Sequence, residues 1–235
     1  MSSLATPHTI RYGEMSVNTA GYGAKMGDVT QTRSGATRLG TPTLTASDWT
    51  EAALQLIAEK GLGALTVSAL CERLDVTKGS FYWHFAGRAE LLAATLSRWE
   101  ERTTSEAIRA LDAVADYRRR LELILEAAFQ PPRARSLYAA LAEATADPIV
   151  GAALNRVATA RIEYLEICYH NLGMPAAAAK ARAALAYASY RGLLQLAREA
   201  PNSLPTDWSA YRSAMREAFI PPGGRQPATK PKKRA

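Results

Sequence analysis

Between Leu65 and Phe85 the chain reads LTVSALCERLDVTKGSFYWHF, its densest run of residues suited to contacting another polar surface. Val67, Leu70, Leu74, Val76, Phe81 and Phe85 are spaced to pack two short helices together about a tight turn at Leu74-Asp75-Val76. The second of these helices, opened by Thr77, then turns outward Thr77, Lys78, Gly79, Ser80, Tyr82, Trp83 and His84. These residues are small, polar, or aromatic with a polar tip. Short side chains allow a helix to come close to a partner. Thr and Ser hydroxyls bond phosphates or base edges, and a lysine reaches a guanine edge or a phosphate. A glycine in so short a helix costs stability, and a close approach to another surface would explain the cost at Gly79. Phe81 and Phe85 belong to a core by spacing. Tyr82, Trp83 and His84 cannot all be buried beside them, so at least two of the three should be exposed. The chemistry on offer is nucleic-acid recognition.

Positioning such a surface needs a helical scaffold, and the rest of the sequence supplies one. Alanine is abundant, long stretches lack both glycine and proline, and no segment alternates with a period of two. A first helix starts near Ser47 or Asp48 and buries Trp49, Ala52, Ala53, Leu56 and Ile57, with Gly61 as a left-handed cap. Thr66 opens a second. A longer helix follows over about 88–112, then helices over 116–130, 133–145, 148–172, 176–200 and 206–219. The breaks fall at Pro131-Pro132, Asp147-Pro148, Gly173-Met174-Pro175 and Pro201 to Pro205. The expected fold is all-α, with about nine helices.

The segment from about Ser47 to Leu92 resembles the DNA-binding domain of the TetR (tetracycline-repressor-like) family. The resemblance lies in Glu59-Lys60-Gly61, Thr66-Val67, Asp75-Val76, Thr77 to Phe81, Tyr82-Trp83-His84-Phe85, and Arg88 ahead of Leu91-Leu92. It implies a helix-turn-helix in which Thr77, Lys78, Gly79 and Ser80 face the major groove. It also implies phosphate contacts from Thr66, through its hydroxyl and backbone amide, and from Tyr82, His84 and Arg88. Trp83 serves either packing or DNA contact in the family. The sequence departs from the family at Asp75, where Gly is common, and at Thr45 and Ala46, where an arginine is usual. Arg88 stands where Lys is usual.

The same resemblance implies four regions: an extension over 1–44, a DNA-binding domain over 45–92, a regulatory and dimerisation domain over 93–220, and a basic tail over 221–235. The extension and tail are disordered by composition. Met15 and Met26 are alternative starts, and Arg33 and Arg38 are placed to act as a minor-groove arm. Family members dimerise through two late helices, here 176–200 and 206–219. The first carries Ala183, Ala184, Tyr187, Tyr190, Arg191, Leu194 and Ala197, and the second Trp208, Tyr211, Met215 and Phe219. A small-molecule effector is expected among the later helices. Arg161 interrupts the apolar stripe Leu154, Val157, Tyr164, Cys168. It must pair with an acid such as Glu143 or hold an anionic ligand. Tyr138, Arg161, Tyr164 and Cys168 are the candidate effector residues.

Charge and cysteine content bound the function further. The net charge is +7, but five of the basic residues lie in the tail Pro221 to Ala235, which has no acid. The folded body is near neutral, so charge alone does not argue for nucleic acid. Cys71 and Cys168 sit in apolar helical patterns and read as buried thiols in a reducing cytoplasm. His8 and His170 lack partners at metal-ligand spacing, and no nucleophile, phosphate-loop or metal motif is present. A cofactor-free, non-enzymatic regulator is therefore expected. The leading expectation is a homodimeric repressor that an effector releases from a palindromic operator. The competing expectation is an effector-independent accessory factor or activator on the same fold.

Overall fold

A computed structural model describes residues 44–131 and 137–222. The expected extension, nearly all of the tail, Arg33 and Arg38, and the expected helix start at residue 133 lie outside them. Among the described residues there is no strand, as the sequence led one to expect.

The chain begins with α1 (Ala46–Lys60). Thr45, not Ser47 or Asp48, is its N-cap. The Thr45 hydroxyl accepts from the Asp48 amide at 3.4 Å, and the Asp48 carboxylate accepts from the Thr45 amide at 2.8 Å. This reciprocal box satisfies two otherwise orphaned donors. Gly61 takes φ +80° with an extended ψ of 171°, so the chain turns out of α1 without the left-handed cap expected. A short 3₁₀ turn, Leu62–Ala64, leads into α2 (Val67–Leu74). Asp75 adopts left-handed φ 54°, ψ 49°, a conformation a short polar side chain tolerates. This turn delivers α3 (Lys78–His84).

The fourth helix is one rod in three stretches: Arg88–Glu100, a π-helical Glu101–Ser105, and Glu106–Asp112. We call the whole rod α4. It is followed by α5 (Tyr117–Ala128), α6 (Leu137–Glu143), α7 (Pro148–Asn171), α8 (Ala176–Glu199) and α9 (Trp208–Phe219). Asp116, Asp147 and Asp207 cap α5, α7 and α9 through their carboxylates, which is why those helices start where they do.

Two apolar clusters organise these helices. The first joins Trp49, Leu56 and Ile57 of α1, Leu70 of α2 and Phe81 of α3 to Leu92 and Trp99 of α4. It continues into Tyr138 and Leu141 of α6 and Val150 and Leu154 of α7. The helices that carry the recognition segment thus share a core with helices more than fifty residues later. Glu51 of α1 adds polar ties to α4, at 2.7 Å from Arg102 and 3.8 Å from Arg98. The second cluster lies among α5, α7, α8 and α9. Buried Arg120 pins the end of α4 there. It donates to the Asp112 carboxylate at 2.8 Å, to the Asp112 and Val114 carbonyls at 3.0 and 2.6 Å, and to the Tyr164 hydroxyl at 3.3 Å.

Candidate nucleic-acid interface and internal cavity

Phe81 is fully buried and Phe85 nearly so, and Trp49 meets Phe81 edge-on with centroids 5.4 Å apart. These rings orient α3 and leave its other face outward. Tyr82 is 58% and Trp83 85% exposed, while His84 is half-buried beside Trp49. Thr77, Lys78 and Gly79 are exposed and Ser80 partly so. The side chain of Thr77, the N-cap of α3, makes no capping bond. The face therefore groups Thr77, Lys78, Gly79, Ser80, Tyr82 and Trp83, as the spacing implied.

Gly79 has a further property. A Cβ placed there meets only the Thr77 hydroxyl, at an ordinary 3.6 Å. Nothing inside the fold requires a glycine at this position.

Thr66 and Arg88 stand at the edge of this face, with bonds the sequence did not reveal. The Thr66 hydroxyl accepts from the Ala69 amide at 3.1 Å, as an N-cap does. Its own amide is already used, donating to the Ala64 carbonyl at 2.9 Å. Of the two donors expected for a phosphate, the hydroxyl remains and the amide is engaged. Arg88 is exposed, yet its Nε donates to the Leu65 carbonyl at 2.7 Å and a terminal nitrogen to the Leu62 carbonyl at 3.3 Å. It fastens the start of α4 to the turn ahead of α2, and a guanidinium has more N–H groups than these two bonds use.

The second candidate site is a narrow cavity among α5, α7 and α8, with about 450 Å³ of unfilled space counted out to its mouth. Its wall includes Ile124, Phe129, Leu165, Tyr187, Tyr190 and Arg161. Arg161 is 4% exposed. Its Nε donates to the Thr104 hydroxyl at 3.2 Å and a terminal nitrogen to the Thr103 carbonyl at 3.1 Å, both on the π-helical stretch of α4. Glu143, the acid suggested as its partner, pairs with Arg198 of α8.

The other three candidates stand elsewhere. Tyr138 is buried against Trp99, shares a 3.0 Å hydroxyl bond with Tyr187 and receives a bond from Arg191, whose guanidinium lies 4.6 Å over its ring. Burial pushes its phenol well above the ordinary range, so it is a neutral hydroxyl. Tyr164 donates to Asp112 at 3.0 Å within the Arg120 cluster. Cys168 is fully buried, and burial pushes its thiol up to about 12. An uncharged thiol there is a small apolar filler. The cavity wall on α8, Tyr187 and Tyr190, was expected at a dimer interface. Both are buried inside the subunit with Ala183.

Among the described residues, no group of three or more His, Cys, Asp and Glu is placed to hold a metal. No helix among the described residues is long and apolar enough to cross a membrane.

Residues 50–95 match the sequence profile of "Bacterial regulatory proteins, tetR family". The HTH-type transcriptional regulator SrpR of Pseudomonas putida is 36% identical over 47 residues, which are 20% of this chain and 22% of that protein. The curated relatives are thus matched over only about a fifth to a third of their length. Whole-chain likeness comes from solved structures. The reduced form of NemR from Escherichia coli aligns with a TM-score of 0.63 and 19% identity, over 78% of this chain and 99% of that one. FadR of Bacillus subtilis, solved in complex with stearoyl-CoA, aligns with a TM-score of 0.53 and 16% identity, over 75% and 98%.

Proposed function

We propose that this chain, whose residues 50–95 match the tetR family of bacterial regulatory proteins, is a homodimeric repressor of that family, released from a palindromic operator by a small-molecule effector. The observation that carries the DNA-binding part is the exposed face of α3. Two large aromatic side chains stand in solvent there beside Thr77, Lys78, Gly79 and Ser80, and no demand of the fold accounts for them. In this reading Thr77, Lys78, Gly79 and Ser80 meet the major groove, and Thr66, Tyr82, His84 and Arg88 meet phosphates. Thr66 acts through its hydroxyl alone. Trp83, at 85% exposure, serves DNA contact and not packing.

Dimerisation is assigned to α8 and α9, but through a different face of α8 than the sequence suggested. Ala181, Ala184, Leu185, Ala188, Gly192 and Leu196 are exposed along it at helical spacing. Ala210 and Ala214 are exposed on α9, and Arg182 of α8 bonds the Ala218 carbonyl of α9 at 3.1 Å. Small residues let helices approach closely, and Leu185, 63% exposed, is a side chain that a partner would cover. A two-fold dimer sets its two α3 helices against successive major grooves, roughly 34–36 Å apart.

The effector part is supported by a likeness to regulators of the same fold solved with a bound ligand. The related fold of FadR holds a ligand, stearoyl-CoA. A ligand shifts the equilibrium only as far as it prefers the released state over the DNA-bound one.

The test is selection of bound duplexes from a random pool by the full chain. An enriched palindrome with half-sites one helical turn apart is the expected product. Enrichment of a single half-site, or of nothing, would overturn the dimeric operator reading.

A further inference from the structure

We infer that the groove between α5 and α9 is a binding site for a short-chain di- or tricarboxylate, held across Arg212 and Arg216 of α9. The site is apart from α3 and from the narrow cavity among α5, α7 and α8. It goes beyond the repressor reading and does not depend on it.

The face of α9 that lines the groove sets the chemistry. Ser209, Arg212, Ser213 and Arg216 recur there at steps of three and four, so they form one stripe. Glu122, Leu125 and Glu126 of α5 supply the other wall, and Met215 and Ile220 complete the lining. Ala210 and Ala214, assigned above to the dimer seam, lie on another face of α9. The groove encloses about 190 Å³ of open space. A cavity of about 150 Å³ accepts benzene, so a body of about four to six carbons has room.

Charge on these walls is unevenly matched. Glu122 meets three guanidinium groups, those of Arg119 at 3.2 Å, Arg118 at 3.9 Å and Arg216. Glu126 shares Arg119 at 3.4 Å. Both acids of the groove are therefore offset by arginines other than Arg212. Arg212 itself is half-buried in the lining and makes no hydrogen bond or ion pair among the described residues. Four arginines against two glutamates leave a positive surplus, and Arg212 keeps its N–H groups for solvent or a ligand. Arg212 and Arg216 stand one turn apart, about 6 Å along the helix axis. A single carboxylate reaches one of them. A compact oxyanion such as sulfate gathers its charge at one point and leaves the carbon of Leu125, Met215 and Ile220 uncovered. Two carboxylates on a short chain match the pair, each through a charge-assisted bond, and lay their methylenes on that carbon. The Ser209 and Ser213 hydroxyls offer further donors. A diamine meets the like charge of the surplus.

The experiment titrates the full chain with succinate, citrate, acetate, sulfate and putrescine, all at a matched ionic strength of about 0.15 M so that diffuse surface attraction is screened. Calorimetry reads binding, and thermal melts read the stabilisation that binding brings. Succinate and citrate should bind about tenfold or more tighter than acetate, the worth of one further charge-assisted bond, and putrescine should not bind. Arg212→Gln should weaken both by about tenfold for the same reason. It should leave the melting temperature of the unliganded protein where it is, because Arg212 holds no other described residue. Arg212→Lys should keep part of the affinity, as a point charge without the planar fork. Sulfate or acetate binding as tightly as succinate and citrate would mean an adventitious ion only and overturn the inference. So would equal binding of succinate and citrate by Arg212→Gln, or no binding of either. None of these readouts involves DNA, so their failure leaves the repressor reading untouched.

Discussion

Gly79 is second in α3, and the space around it would accept a side chain, since only the Thr77 hydroxyl comes within 4 Å of a methyl group placed there, at 3.6 Å. Gly79→Ala should therefore raise stability by about 0.5–1 kcal/mol, the gain expected from alanine in a helix. If the face meets DNA closely, the same methyl group should weaken operator binding about tenfold. A thermal melt and an operator titration on one preparation check both halves, and a stabilised variant with unchanged affinity would remove α3 from the groove. At this scale the sequence was informative where one face of a helix is already claimed. Phe81 and Phe85 take the inner face, so at least two of Tyr82, Trp83 and His84 had to be outside, and Tyr82 and Trp83 are. It was uninformative where a bond spans the fold. Arg161 was visible as an anomaly, but its partners lie 57 and 58 positions earlier, on a helix whose facing could not be known. Likewise nothing in the spacing announces that the Thr66 amide is spent on Ala64.

Helix ends divide in the same way. Those marked by Asp-Pro, Gly-x-Pro or paired prolines were placed within a few residues, because proline enforces them. The start of α1 was placed two or three residues late, since Thr45, Ser47 and Asp48 can all cap and only the reciprocal bonds of Thr45 and Asp48 decide among them. The π-helical turn left no trace, for ERTTS holds neither glycine nor proline; what marks it in the fold is a tertiary grip from Arg161. The capping box makes a pH prediction. The backbone bond from Thr45, then its hydroxyl, holds the Asp48 carboxyl below its ordinary value of 3.8. A carboxyl with a lowered folded pKa adds stability that is present above about pH 4 and lost as pH falls through the folded value. Thr45→Ala should cost about 1 kcal/mol at pH 7, the usual worth of a cap. Melts from pH 7 down to pH 3 should show that difference shrinking below pH 4; a difference that stays constant would mean that the carboxylate has no part in it.

The whole molecule turns on two surfaces that no single helix reveals. One is internal. The helices α1 to α3 and the later helices share an apolar cluster running from Trp49 and Phe81 through Trp99 to Tyr138, Leu141 and Leu154, so α1 to α3 cannot tilt without repacking α4 and α6. Contacts between helices ninety residues apart imprint no period on the sequence, so this shared cluster could not be read from it. The other surface is external. On α8 the sequence offers small or apolar residues all the way round, and periodicity alone could not say which face was inward. The fold spends Ala183, Tyr187 and Tyr190 on its own core and leaves Ala181, Ala184, Leu185, Ala188 and Gly192 outside. If that outer stripe is the seam of a dimer, a charge at its middle must be buried against its own copy across the two-fold axis, where like charges meet without a partner. Ala188→Glu should then give a monomer by sedimentation at concentrations where the parent chain is a dimer. Ala188 is exposed within the subunit, so the melting temperature of the isolated fold should change little apart from what dimerisation itself contributes. Operator affinity should fall steeply, because one α3 helix per duplex forfeits half the contacts. A glutamate variant that stays dimeric would place the seam on another face and return α8 to the role of a solvent-facing helix.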